Sequence, residues 1–239
     1  MKIIGTGSAL PEQIVTNEDL TKFLDTSDEW IVSHTGIRER RVLDRESVND
    51  IGTLAARRAL EDAGLALEEL DLLICSNVAS DYFTPGPACF IAGALGFSGQ
   101  TLDMNGACTG FLQALDIADA YLRAGKARNV LIVAAEKPSY LADWTDRATC
   151  VLFGDGAGAV VLQNSEPSGC IATCIATHPN EDFLNMPTPA GNCPFTHREG
   201  AGGYLRMNGQ EVYRFAVSSC VRDLRAVCEK ADVPLEAVD

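Results

Sequence analysis

Basic residues are scarce in this 239-residue chain: 19 Lys and Arg stand against 33 Asp and Glu, a net charge of −14. A polyanion needs a basic surface, so general nucleic-acid binding is excluded, and an acidic partner would need a local basic patch. Long apolar runs are also missing, with no stretch of about 18 apolar residues that could span a bilayer. The opening Met1-Lys2-Ile3-Ile4-Gly5 is too short and too glycine-broken for a signal peptide, so a soluble cytoplasmic protein is expected. Histidine is limited to His34, His178 and His197, and the nine cysteines are odd in number and scattered through apolar segments. That pattern excludes a disulfide framework. Cys170 and Cys174 are close, but no second pair or nearby His gives zinc-ligand spacing. No metal or redox cofactor is expected.

What is present is enough apolar material, 46% of residues, for a sizeable core. Hydrophobic periodicity predicts a strand at 2–8, helices near 17–24 and 27–34, a strand near 37–43, helix 49–63, strand 71–77 and helix 87–95. Strand 98–104, helix 109–124, strand 129–136, strands 157–164 and 169–177 and helix 208–231 follow. Apolar strands such as Leu72-Leu73-Ile74 and Val130-Leu131-Ile132-Val133 between helices indicate an α/β fold with a mainly parallel sheet. A loop over about 179–203 is rich in Pro and Gly, from Pro179, Pro187, Pro189, Gly191 and Pro194 to Gly200, Gly202 and Gly203, and loops of that length are usually functional or mark a join. Gly5-Thr6-Gly7 and Gly154-Asp155-Gly156-Ala157-Gly158 fit no phosphate-binding fingerprint, because Pro11 follows the first and a β-like run follows the second. Both are expected to be tight turns beside an active site, with Asp155 a turn former.

Cys108 is the strongest candidate for chemistry. It lies in Asp103-Met104-Asn105-Gly106-Ala107-Cys108-Thr109-Gly110-Phe111, where a strand hands over to a helix. Unpaired N–H groups and the macrodipole at a helix start favour a thiolate. The small neighbours Gly106, Ala107 and Gly110 leave room for a substrate, and Gly110 can bring backbone close to it. An inert buried thiol is the alternative that position alone leaves open.

Asn105-Gly106-Ala107-Cys108-Thr109-Gly110-Phe111 resembles the nucleophile segment of the β-ketoacyl-acyl-carrier-protein synthases III, thiolase-fold enzymes that start fatty acid synthesis. Three more segments agree in type and order. Ile4-Gly5-Thr6-Gly7-Ser8 with Leu10-Pro11 resembles the family's first strand and turn. Thr26-Ser27-Asp28-Glu29-Trp30-Ile31-Val32 with Thr35-Gly36-Ile37-Arg38-Glu39-Arg40 resembles its coenzyme A edge, and Phe153-Gly154-Asp155-Gly156-Ala157-Gly158-Ala159 its late glycine-rich turn. The resemblance implies a thiolase-like, duplicated α-β-α-β-α architecture: an N-terminal half over 1–165 with the nucleophile, and the start of the second half over 166–239. It implies a homodimeric acyltransferase. Cys108 takes an acyl group from acyl-coenzyme A, and the acyl-enzyme then condenses with malonyl-acyl-carrier protein after decarboxylation.

The other roles are likewise what the resemblance implies. Trp30 and Arg147 match the pair that sandwiches the coenzyme A adenine, and Thr26 matches a contact to the same base. His34 stands where many members have an Arg near the nucleotide phosphate. Thr84 stands where acetyl-specific members have a Phe limiting the acyl pocket, so primers longer than acetyl are expected to be tolerated. Gly209 and Tyr213 match positions near the pantetheine tunnel. Arg214, Arg222 and Arg225 fall within one face of helix 208–231, opposite Val212, Phe215, Ala216 and Leu224, on the helix that docks the acidic carrier protein in the family.

Residues 55–71 and 223–239 repeat one another: Arg57, Glu61, Ala63, Leu67, Glu68 and Asp71 recur as Arg225, Glu229, Ala231, Leu235, Glu236 and Asp239. The first copy leads into Leu72-Leu73-Ile74-Cys75-Ser76-Asn77, whereas the sequence stops at the second copy's Asp239. The family's catalytic His and Asn, which stabilise the enolate formed on decarboxylation, are expected beyond that point. His34, His178 and His197 do not match that His. A relative serving a secondary pathway such as polyketide priming, and a non-condensing fragment or scaffold, are the alternative readings.

Overall fold

The computed structural model describes residues 1–187 and 203–238. In chain order the elements are β1 (Lys2–Ala9), β2 (Ile14–Thr16), α1 (Asn17–Thr21), α2 (Asp28–Thr35), β3 (Glu39–Arg41), α3 (Val48–Ala63), β4 (Leu72–Ser76) and α4 (Pro87–Leu95). Then come β5 (Gln100–Met104), α5 (Gly110–Arg123), β6 (Asn129–Glu136), β7 (Gly156–Gln163), β8 (Leu184–Asn185), β9 (Arg206–Met207) and α6 (Gly209–Ala231). They form two compact units, each assembled from three stretches of chain: Met1–Val15, Glu39–Pro138 and Gly154–Thr173 in one, Thr16–Arg38, Ser139–Phe153 and Cys174–Asp239 in the other.

The first unit is built on a five-stranded sheet of order β1-β7-β6-β4-β5. Strands β6, β4 and β5 are parallel neighbours, while β7 is antiparallel to both β1 and β6. Four strands therefore run one way and β7 runs against them, so the sheet is mixed in its pairing rather than simply parallel. Period-two alternation splits the apolar side chains of one strand between two cores. Leu73 and Cys75 of β4 join Leu131, Val133 and Ala135 of β6 under α3 and α4. Leu72 and Ile74 join Val130 and Ile132 under α5, against Ala114, Ala118 and Leu122. Burial on both faces explains why these strands read as continuous apolar runs.

Gly5 and Gly7 belong to β1 itself and make no turn, contrary to the expectation for that cluster. A Cβ on either would lie 2.4 Å from the Ala59 carbonyl oxygen or 2.2 Å from that of Ala55, so glycine here lets α3 press onto the strand. Asp155 likewise does more than form a turn. It is buried, accepts from the Leu43 N–H at 2.8 Å, and its own N–H donates to the Arg41 carbonyl at 2.7 Å, tying the start of β7 to the end of β3.

The expected strand at 169–177 does not form. Its alternation is real, but no described strand offers its backbone hydrogen bonds, and Ile171 and Ile175 are exposed. A strand is a pairing as well as a pattern. In the 179–203 segment, Leu184–Asn185 instead pairs antiparallel with Arg206–Met207. The Pro- and Gly-rich stretch from Pro189 to Gly202, with His197, lies outside the described residues. Among the described residues, no helix is long and apolar enough to cross a membrane.

The sequence repeat is also a structural repeat. Helix α3 stops at Gly64 with φ 60°, and α6 stops at Asp232 with φ 54°, both left-handed caps. After each cap comes a single 3₁₀ turn, Leu67–Glu69 and Leu235–Ala237. The hydrogen bonds recur at the same offset: Leu65 N–H to the Leu60 carbonyl and Val233 N–H to the Cys228 carbonyl, then Glu69 to Ala66 and Ala237 to Pro234.

Candidate active site

The nucleophile segment sits at the C-terminal edge of the parallel part of the sheet. After β5, Cys108 occupies a 3₁₀ turn, Ala107–Thr109, that runs directly into α5, and its thiol is exposed. That matches the expected position at a helix start. The turn is held by Thr109, whose N–H and hydroxyl both donate to the Gly106 carbonyl at 3.2 and 3.0 Å, and by Gln113 Nε2, which donates to the Thr109 hydroxyl at 2.9 Å. Ala107 has φ 46°, a left-handed conformation for a residue with a side chain. Such a residue costs about 1 to 3 kcal/mol, which the surrounding turn must sustain. Nothing in the sequence signalled that strain.

The two glycines flanking the thiol have a packing reason. A Cβ on Gly110 would fall 2.1 Å from Ser76 Oγ, and one on Gly106 would fall 2.7 Å from the Gly110 Cα. Gly110 thus serves the approach of α5 to β4. Both residues let the chain fold tightly around Cys108.

In the second unit, Ser27 caps α2 by accepting from the Trp30 N–H, which places Trp30 in the helix's first turn. The structure brings Trp30 and Arg147 together, with the guanidinium carbon 5.0 Å from the indole centroid. Arg147 also donates to the Asp25 carbonyl at 2.5 Å. His34 stacks on the same indole at 4.5 Å between centroids, and its Nδ1 lies 2.7 Å from the Trp30 carbonyl, so that nitrogen carries the proton. This contact was missed, although an i to i+4 aromatic pair on a helix is a readable signal. Thr26 lies in the turn before α2, and its hydroxyl is buried with no hydrogen-bond partner among the described residues.

The remaining candidates are spread out. Thr84 is exposed at a cis Thr84–Pro85 bond. Gly209 opens α6 and Tyr213, one turn later, is 71% exposed. Arg214 pairs with Glu211 at 2.8 Å; Arg222 pairs with Asp223 at 2.9 Å and touches His178 Nε2 at 3.0 Å; Arg225 is exposed. Acids on the same helix therefore offset part of the basic stripe. Val212 is half-buried, but Phe215, Ala216 and Leu224 on the expected apolar face are exposed, so that face is not a buried one here.

The family model of 3-oxoacyl-[acyl-carrier-protein] synthase III matches residues 102–179, which include the Cys108 turn and the glycine-rich segment at 154–158, whose last three residues open β7. A β-ketoacyl-[acyl-carrier-protein] synthase III of Clostridium acetobutylicum is 43% identical over 242 residues, covering 100% of this chain and 74% of that protein. The crystal structure of 3-oxoacyl-[acyl-carrier-protein] synthase III from Aquifex aeolicus superposes with a TM-score of 0.89 at 45% identity, over 99% of this chain and 74% of that one. The priming β-ketosynthase of the R1128 polyketide pathway follows at TM-score 0.87 and 34% identity, over 97% and 70%. Sequence identity above 40% across the whole chain, with the same thiolase-like fold around an exposed cysteine turn, places this chain in the β-ketoacyl-acyl-carrier-protein synthase III family.

Proposed function

We propose that Cys108 is the acyl carrier of a β-ketoacyl-acyl-carrier-protein synthase III reaction, joining an acyl-coenzyme A primer to malonyl-acyl-carrier protein at the start of fatty acid synthesis. The observation that carries the reading is the exposed thiol in a strained turn between a parallel strand and a helix start. Ligands in α/β sheets collect at the carboxyl ends of the strands, and a thiol at a helix start is placed for nucleophilic attack.

In the first half-reaction the Cys108 thiolate adds to the primer's thioester carbonyl. The bond to the coenzyme A sulfur breaks, and coenzyme A leaves as a thiol after taking a proton. In the second, malonyl-acyl-carrier protein loses carbon dioxide. The electron pair of the broken C–C bond forms the new bond to the acyl carbon and expels the Cys108 thiolate. No electrons leave the system, so the chemistry calls for no redox cofactor, and coenzyme A enters only as substrate.

Trp30, Arg147 and Thr26 are assigned to the adenine, Gly209 and Tyr213 to the pantetheine arm, and Arg214, Arg222 and Arg225 to the carrier protein. The halves 1–165 and 166–239 are read as the family's duplication, which the repeated cap and 3₁₀ turn support. A cytoplasmic homodimer completes the proposal; the large apolar side chains Tyr82 and Phe83 lie exposed, as a second copy would require.

The likeness to a priming polyketide ketosynthase favours one second reading, the same chemistry serving a secondary pathway. A two-stage assay separates these readings. Stoichiometric release of coenzyme A from the primer is expected of this chain, and formation of β-ketoacyl-carrier protein from a malonylated fatty-acid carrier protein where the family's His and Asn are also present. Transfer to a polyketide carrier protein alone would overturn the fatty-acid assignment.

A further inference from the structure

The peptide plane between Gly106 and Ala107 leads directly into the strained residue of the nucleophile turn. Ala107 holds φ at 46°, and that angle is the rotation about the N–Cα bond by which the chain leaves this plane. A contact that fixes the Gly106 carbonyl therefore fixes the plane to which the Ala107 φ refers, one residue before Cys108.

Thr109 supplies two such contacts, its N–H at 3.2 Å and its hydroxyl at 3.0 Å from the Gly106 carbonyl oxygen. A carbonyl can only accept, so the hydroxyl gives its proton to Gly106 and turns a lone pair to Gln113 Nε2, 2.9 Å away. The direction is thereby forced, from the Gln113 amide to the Thr109 hydroxyl to the Gly106 carbonyl, and each bond polarises the next. Turned over, the Gln113 amide would set its oxygen against a hydroxyl with no proton left to give.

The other end of that amide reaches the same peptide. A Cβ on Gly106 would fall 2.9 Å from Gln113 Oε1, so the side chain lies across the turn from residue 106 to residue 109 and brackets Ala107 and Cys108. Its backbone is anchored. Gln113 is half-buried and directly precedes Ala114, which with Ala118 and Leu122 packs in one core with Leu72 and Ile74 of β4. The close fit of Gly110 against Ser76 Oγ fixes the start of the same helix.

We infer that Gln113 is a positioning residue for acyl transfer: through Thr109 it ties the Gly106–Ala107 peptide to the anchored start of α5 and holds the left-handed Ala107 from which the Cys108 thiol is presented. The inference rests on the reading of Cys108 as acyl carrier. Gln113→Leu tests it, because Leu keeps the helix propensity and removes the amide donor, and Thr109→Val removes the hydroxyl that relays it.

The full chain and its variants are acylated with acetyl-coenzyme A in single turnovers followed by intact mass. Gln113→Leu is expected to lower the rate at saturating primer about fivefold, the size associated with one hydrogen bond, while the half-saturating primer concentration stays the same. Both residues act through one chain of bonds, so the double variant should be no slower than Thr109→Val alone. A side chain that serves only stability would lower the melting temperature and leave the saturated rate of the folded variant at the parent's value. That result, or losses that multiply in the double variant, overturns the inference. Gln113→Met, unbranched like Gln and equally without a donor, takes the place of the Leu variant if the latter does not fold. Absence of any Cys108 adduct in the parent chain would overturn the reading of Cys108 and the inference with it.

Discussion

Two planar groups that hold an adenine between them need about 7 Å of separation, twice the optimal contact distance between carbons. Arg147 lies 5.0 Å from the Trp30 indole, so the pair is closed on itself and, on the proposed adenine assignment, would have to part to admit a base. His34, bonded to the Trp30 carbonyl and stacked on the indole, holds Trp30 in place. Trp30→Ala and Arg147→Ala are each expected to raise the KM for acyl-coenzyme A about fivefold, the equivalent of a cation–π contact of about 1 kcal/mol, with kcat little changed. Steady-state kinetics with unaltered KM would remove both residues from the nucleotide site. The other residue-scale prediction concerns Thr84, proposed to leave room for long primers. Thr84→Phe should narrow the primer range toward acetyl in a competition assay, and a parent chain already strict for acetyl would contradict the assignment.

Among the elements, α6 carries the proposed carrier-protein contact. Reversing Arg214 and Arg225 to Glu should raise the KM for the carrier protein while the rate of Cys108 acylation by acyl-coenzyme A stays the same. An unchanged carrier KM would show that α6 is merely solvated. Strand β5 supports a pH prediction. Burial holds the Asp103 carboxyl above its ordinary value, partly opposed by the Ala88 N–H bond. A carboxyl with a raised native pKa binds more protons folded than unfolded. Its stabilising contribution is complete below the ordinary value and fades as the pH climbs through the raised one. Asp103→Asn removes that term, so over this acidic window the parent should lose stability relative to the variant as pH rises. Urea unfolding at several pH values checks this, and parallel pH profiles would refute it. Elements whose pattern is local were legible in the sequence: α4 at 87–95 and β6 at 129–136 appear as read, and the Cys108 turn lies where strand and helix periodicities meet. Features that depend on a distant partner were not. The 169–177 alternation finds no described neighbour, Gly5 and Gly7 are explained only by α3, and the bonds that Glu136 accepts from Val78 and Ala79 appear only once β4 and β6 are side by side.

For the whole molecule, the repeated helix, left-handed cap and 3₁₀ turn show that α6 follows the same local construction as α3. Helix α3 lays its apolar face on β1 and β7, whereas Phe215, Val217, Val221 and Leu224 of α6 remain exposed among the described residues. The chain spans 74% of the length of the Clostridium and Aquifex relatives, and the acyl-transfer step proposed for it rests on residues it carries. Chief among them is Cys108, and the most direct test is the intact mass of the purified chain before and after acyl-coenzyme A, beside a Cys108→Ala variant. A single acyl adduct that maps to Cys108 and is lost in the variant is the predicted result. A folded chain that gains no adduct, or one whose adduct survives in the variant, would contradict the account.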